Sequence, residues 1–188
     1  MTGKTRQSGA EPPVGCVFTV GHSTRPLSEF IALLAARDIE LLGDIRTVPR
    51  SRHNPQYNAD ALARDLPAAG IAYLPLPALG GLRRARPDSP NGGWRNASFR
   101  GFADYMQTPE FAAALAELIA TSRTRRTAVM CAEAVPWRCH RSLVADALEI
   151  RGIPVIEILG ERSERRHRLT PFARVEGTRL TYPPAPTP

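Results

Sequence analysis

Three short stretches of this 188-residue chain concentrate side chains able to do chemistry. The richest is Cys131–Arg141 (CAEAVPWRCHR), which carries two thiols, a carboxylate, an imidazole and two guanidinium groups. The second is the run Gly21, His22, Ser23, Thr24. The third is Asp44 and Arg46, with Ser51 a little further on. Thiolates are nucleophiles, imidazole moves protons near neutral pH, and a carboxylate can orient it. Guanidinium groups hold phosphate or carboxylate through a planar fork. Such a set suits a thiol-dependent or acid/base-dependent hydrolase or transferase working on an anion.

The surrounding pattern says which elements must carry these stretches. Cys16–Gly21, Glu40–Ile45, Ile71–Leu76, Thr127–Cys131 and Ile153–Ile158 are short apolar runs that read as buried strands. Between them lie helical patterns. Leu27, Phe30, Ile31, Leu34 and Ala35 form an apolar stripe. Asn58 is placed to cap a helix running to about Leu66. Phe99–Met106 reads as helical, and Thr108-Pro109-Glu110 is a helix start. A last helix is expected from about Cys139 to Arg151.

Alternating strands and helices predict a single compact three-layer α/β domain. Its sheet is expected to be mainly parallel, with about five strands and helices on both faces. The domain is expected over residues 15–160. It would follow a flexible arm at 1–14 and precede a basic, then proline-rich tail at 161–188. In such sheets ligands bind beyond the carboxyl ends of the strands. Strand one delivers His22, Ser23 and Thr24. Strand two delivers Asp44, Arg46 and Ser51. Strand four delivers Cys131, Glu133 and the turn to Cys139, His140 and Arg141. If the strands are parallel, all three groups meet at one edge.

The candidate catalytic residues are therefore His22, Asp44, Cys131, Glu133, Cys139 and His140. Candidates for holding an anion are Ser23, Thr24, Arg46, Ser51, Arg138 and Arg141. Each has a plainer alternative. Asp44 and Arg46 suit a structural ion pair, His22 a turn cap, Cys131 a small buried hydrophobe, and His140 a solvent-facing position. At Cys139–Arg141 the first amides of a helix favour anions and lower a thiol's pKa.

Several sites are excluded. A phosphatase loop needs arginine six positions after its cysteine, and Trp137 stands there. No Gly-x-Gly-x-x-Gly follows a strand, and there is no Walker loop. No cofactor is expected. Zinc is the lesser alternative, with Cys131, Cys139, His140 and His22 as its candidate ligands. The Cys-x7-Cys-His spacing matches no standard zinc pattern, and adjacent ligands rarely share one tetrahedral ion comfortably.

Composition sets the wider bounds. Lys and Arg number 25 against 18 Asp and Glu, a net charge of +7, and nearly all the basic residues are arginine. An anionic small molecule or nucleic acid is the expected partner. Trp94 and Trp137 would serve as stacking platforms, alongside arginines at 162, 165, 166 and 168. The three cysteines are too few for a disulfide scaffold. No apolar run reaches the roughly 18 residues of a membrane span, so no membrane partner is expected. The N-terminal residues lack the apolar stretch of a secretory signal, and a cytoplasmic location is expected. The oligomeric state is not legible.

The chain resembles the domain of unknown function 488 family. The resemblance rests on TVGHST (19–24), DIRTVPRS (44–51), GIAYLPLPALGG (70–81), WRNASFRGFADYM (94–106) and CAEAVPWRCHR (131–141). It implies a compact α/β domain and no established activity. The family's marked positions fall on His22, Ser23, Asp44, Arg46, Cys131, Glu133, Cys139, His140 and Arg141. Asn91, Trp94, Arg95 and Arg100 also match, which implies that the loop at 77–98 closes over the site and adds Trp94, Arg95 and Arg100 to the candidates for binding substrate or anion. Phe102 stands where the family often has tyrosine, so an aromatic hydroxyl is not essential there.

Overall fold

The computed structural model describes residues 15–185. The arm expected at 1–14 lies outside the described residues. Five parallel strands form the centre of the fold: β1 (Val17–Gly21), β2 (Leu41–Asp44), β3 (Ala72–Pro75), β4 (Thr127–Cys131) and β5 (Val155–Gly160). A sixth, β6 (Ser163–Arg166), adds antiparallel to β5. The sheet order is β3-β2-β4-β1-β5-β6. A separate hairpin pairs β7 (Arg174–Glu176) with β8 (Arg179–Thr181).

Side chains alternate along the parallel strands, so these strands feed two cores. Phe18, Val20, Leu42, Ala128 and Met130 meet Phe30 and Leu34 of α1 (Leu27–Ala35) and Leu62 of α2 (Ala59–Asp65). Val17, Val129, Cys131 and Val155 point to the other face. There they meet Phe102 of α3 (Ala97–Tyr105), Leu115 of α4 (Pro109–Ser122) and Leu143 of α5 (Arg141–Glu149). The three-layer expectation holds. Thr108 caps α4 as expected, its hydroxyl accepting from the Phe111 amide at 3.3 Å. Asn58 precedes α2, but its side chain instead accepts from the Ser51 amide at 2.7 Å, which ties down the loop after β2.

One feature departs from the sequence reading. β6 is Ser-Glu-Arg-Arg, with every residue exposed, so it carries no apolar signal. The segment from 161 on is expected to be only partly packed, and within it His167, Leu180 and Tyr182 are buried while most of their neighbours are exposed. His167 lies between Glu157 (2.7 Å) and Asp146 (2.8 Å), and Asp146 also accepts from the Tyr182 hydroxyl (2.8 Å). A few anchors spaced far apart give no periodicity to read.

Parallel pairing sets Gly21 opposite Cys131 and Asp44 opposite Met130. The carboxyl ends of β1, β2 and β4 therefore lie side by side, with β4 in the middle.

Candidate functional site

Cys131 ends β4 facing the α3–α5 layer, and α5 begins beneath that same layer. A 3-10 turn at Pro136–Arg138 carries the chain back from strand to helix. Cys139 is extended (φ −133°, ψ 141°), whereas His140 is already helical (φ −57°, ψ −16°). That change of backbone direction lets two neighbours aim at one point. Their ligand atoms and the Cys131 sulfur lie within 4.8 Å of one another. His140 Nδ1 is 3.9 Å from Cys131 Sγ and 3.8 Å from Cys139 Sγ. Both sulfurs are nearly enclosed, Cys131 at 7% and Cys139 at 2% exposure.

The His140 ring is oriented from both sides. Nε2 is 3.1 Å from the Ile45 carbonyl, which can only accept, so Nε2 carries the proton and Nδ1 presents its lone pair to the sulfurs. Phe102 packs edge-on against the ring, with centroids 4.9 Å apart. A hydroxyl at that position is not used in this contact. The Cys139 thiol is pulled down to about 7, first by a hydrogen bond from Cys131, then by the Arg141 charge and amide. The Arg141 amide donates to Cys139 Sγ at 3.5 Å. Donating to Cys139, together with burial, pushes the Cys131 thiol up.

This cluster floors a cavity of about 400 Å³. Arg138 lies on its exposed rim, and Val48 and Leu82 add exposed apolar surface. From the loop at 77–98, Gly81, Leu82 and Asn96 line it, joined by Ser98 of α3. Gly81 keeps this wall clear of the ring, since a Cβ there would sit 3.0 Å from His140 Nδ1 and press on it. The loop reaches the site through these residues rather than through Trp94, Arg95 or Arg100. Trp94 packs with Phe99, Phe172 and Tyr182 and borders a different cavity. Arg95 is exposed, and Arg100 donates to the Trp94 carbonyl at 3.4 Å. The Gly80-Gly81 pair was the available signal for this wall. Val48 and Ser98 fall inside the motifs 44–51 and 94–106 without being singled out there, and nothing in the sequence pointed to Leu82.

A second lobe of about 440 Å³ shares Arg46, Val48, Ala132 and Glu133 with the first. Ser23, Thr24, Arg50, Ser51 and Asn54 line it. Glu133 is exposed and borders both lobes.

Arg46 of that shared wall and His22, which also lines the second lobe, belong to a closed network. Asp44 accepts from Arg46 Nε (2.8 Å) and NH2 (2.6 Å), from the Arg46 amide (3.1 Å) and from the Tyr73 hydroxyl (2.8 Å). Arg46 also donates to the Tyr57 carbonyl at 2.6 Å. His22 stacks on Tyr57 at 4.0 Å. Its Nδ1 donates to the Ser23 carbonyl at 2.7 Å, leaving Nε2 to accept from Arg46 NH1 at 3.3 Å. Burial, chiefly, lowers the His22 pKa to about 4, so the ring is neutral. Arg141 is also committed: its NH1 and NH2 donate to the carbonyls of Glu133 and Ala134, strapping the turn to the helix. Gly21 lets β1 abut this turn, because a Cβ there would collide with the Glu133 carbonyl.

The structure thus brings Cys131, Cys139 and His140 together. It places His22, Asp44 and Arg46 in one adjoining network, with Ser23, Thr24 and Ser51 in the second lobe. Among the described residues, Cys131, Cys139 and His140 are the group whose donor atoms could hold a metal; His22 is not part of it. No helix among the described residues is long and apolar enough to cross a membrane.

Fold and site together define an α/β domain with a cysteine–histidine cluster at the carboxyl edge of a parallel sheet. The chain matches Domain of unknown function DUF488 over residues 26–148, more than half its length, and belongs to that family. β1 and the GHST turn precede the matched region. No curated protein matches the chain, and no solved structure does.

Proposed function

We propose that the protein is an enzyme, a hydrolase or transferase, acting on a phosphate-bearing substrate of the nucleotide or nucleic-acid class. The observation that carries this reading is the convergence of two thiols and an oriented imidazole on the floor of a cavity rimmed by Arg138. The cluster supplies the nucleophile. Arg138 holds the anion, and the hydroxyls of Ser23, Thr24 and Ser51 offer it further donors in the second lobe. Arg46 contributes through its position rather than through free donors, since Asp44, His22 and Tyr57 already occupy it. The need for free thiols suits a cytoplasmic compartment.

The test is turnover of nitrophenyl phosphate mono- and diesters, nucleotides and short oligonucleotides by the wild-type chain, Cys139→Ala and His140→Ala. Loss of turnover in both variants supports the proposal. Unchanged turnover in both removes it.

A second reading, a nucleic-acid-binding module without chemistry, is favoured by one observation. Trp137 is 57% exposed, with the Arg165 guanidinium 5.3 Å from its ring centre, beside a cavity also lined by Arg166 and Arg168. It requires oligonucleotide binding that weakens steeply with salt. Binding that ignores salt removes it.

A further inference from the structure

We propose that Cys131, Cys139 and His140 bind a thiophilic divalent cation of the zinc type, leaving a fourth coordination position open to the cavity. This deepens the enzyme reading by naming what the cluster holds: with both thiols serving as ligands, the nucleophile it would supply is the oxygen in the fourth position, and the inference relies on that reading only for where a substrate lies.

Geometry is the first support. Zinc–sulfur bonds of about 2.3 Å and zinc–nitrogen bonds of about 2.0–2.1 Å place tetrahedral ligands about 3.5–3.8 Å apart. The sulfur-to-nitrogen distances here are 3.9 and 3.8 Å and the three donor atoms lie within 4.8 Å of one another, so the nitrogen closes on each sulfur by a few tenths of an ångström and the two sulfurs close on each other by up to about 1 Å. Adjacency of Cys139 and His140 argued against a shared ion in the sequence. The extended-to-helical change between them removes that objection.

The hydrogen-bond accounting is the second support. Both buried sulfurs lie beside the single Nδ1 lone pair, which accepts a proton from only one of them, so the other thiol is left to donate to a neighbouring sulfur, a weak acceptor. A cation satisfies all three donor atoms at once. The outer partners are those a metal ligand needs: the Ile45 carbonyl fixes the His140 tautomer, and the Arg141 amide donates to the Cys139 sulfur. Two thiolates and a dication sum to zero charge, so the filled site is neutral. The nearby Arg46 is already balanced by Asp44.

Access is the third. All three donors line the cavity, and the wall beside Nδ1 is bare because residue 81 is glycine. Three protein ligands with one open side is the pattern of a reactive site; a structural zinc is closed by four. Sulfur donors disfavour magnesium and calcium. Binding follows a balanced equation: the ion displaces one proton from each thiol, His140 donates its Nδ1 lone pair, and water or a substrate oxygen takes the fourth position.

The experiment uses the untagged, full-length chain in its reduced form. Elemental analysis is expected to find one zinc per chain. Cobalt added to stripped protein is expected to raise a thiolate-to-cobalt charge-transfer band that saturates at one equivalent, with two protons released. Cys131→Ser and Cys139→Ser should each weaken cobalt binding beyond the roughly 10–100-fold cost of an outer-shell change. Circular dichroism confirms that the variants fold. Gly81→Ala, which keeps every donor, should weaken binding while the thiol count stays the same. A folded, fully reduced wild-type chain that takes up no cobalt overturns the proposal, as does a band that persists in both serine variants. Bound zinc without turnover of any phosphate substrate sinks the enzyme reading alone. Undiminished turnover by a folded, reduced chain that takes up no cobalt sinks the metal alone.

Discussion

His22 and His140 stand on the same edge of the sheet and are treated in opposite ways. His22 has both nitrogens engaged and a stacked tyrosine, and its neighbours Asp44 and Arg46 spend their polar atoms on one another and on Tyr57 and Tyr73. His140 is anchored by one nitrogen only. The other faces two sulfurs at 3.8 and 3.9 Å, with open space in front. Both regions are equally polar in the sequence. What separates them is saturation: a network whose donors and acceptors all match resists change, whereas a cluster with unspent lone pairs beside a cavity can take a ligand.

The largest effect that would test this contrast is on turnover. Cys139→Ala and His140→Ala should lower it by about 10²–10⁴-fold. Unfolding free energy should fall by no more than about 1–2 kcal/mol. Asp44→Ala should reverse the pattern. Removing one partner of a buried ion pair strands the other, so stability should drop by about 3–5 kcal/mol in a denaturant titration. A mild stability loss there, with a severe loss in Cys139→Ala, would break the comparison.

Next comes the pH profile of thermal stability. Burial holds folded His22 near 4, against 6.5 for the free side chain. The unfolded chain therefore binds the extra proton, and stability is lost as pH falls from 6.5 towards 4, by up to about 3 kcal/mol. His167 runs the other way. Burial opposes its charge, but Asp146 and Glu157 prevail and raise it to about 9. Its contribution is whole below 6.5 and is lost as pH climbs through 9. The two limbs place a maximum near pH 6.5. In His167→Gln the alkaline limb should flatten while the acid limb remains. The smallest effect belongs to Arg138→Ala, on the exposed rim. Stability should stay within about 0.5 kcal/mol, while KM for a phosphate substrate rises.

How much of this was legible follows from the physics of each feature. β1, β2 and β4 announced themselves as apolar runs, and parallel pairing then forced Gly21, Asp44 and Cys131 to one edge. β6 was silent because Ser-Glu-Arg-Arg lies exposed along the sheet margin. The packing of 163–182 was silent because His167, Leu180 and Tyr182 are isolated anchors. Within the site, residue types and the edge they share could be read, but the pairing could not. Whether Arg46 faces a ligand or Asp44 depends on side-chain directions that spacing does not encode. The convergence of Cys139 and His140 depends on one backbone turn.

The Arg141 strap has a consequence for how this protein tolerates change. Its guanidinium reaches back seven and eight residues to the carbonyls of Ala134 and Glu133, while its own amide touches the Cys139 sulfur. Its Nε finds no partner among the described residues, so the reach is held under full burial. One side chain acts as a ruler for the distance from strand to helix. Substitutions at exposed Ala132 or Trp137 leave that ruler intact. A residue inserted or deleted between 134 and 139 changes the length being measured, and the two sulfurs would part before the sheet itself felt any strain.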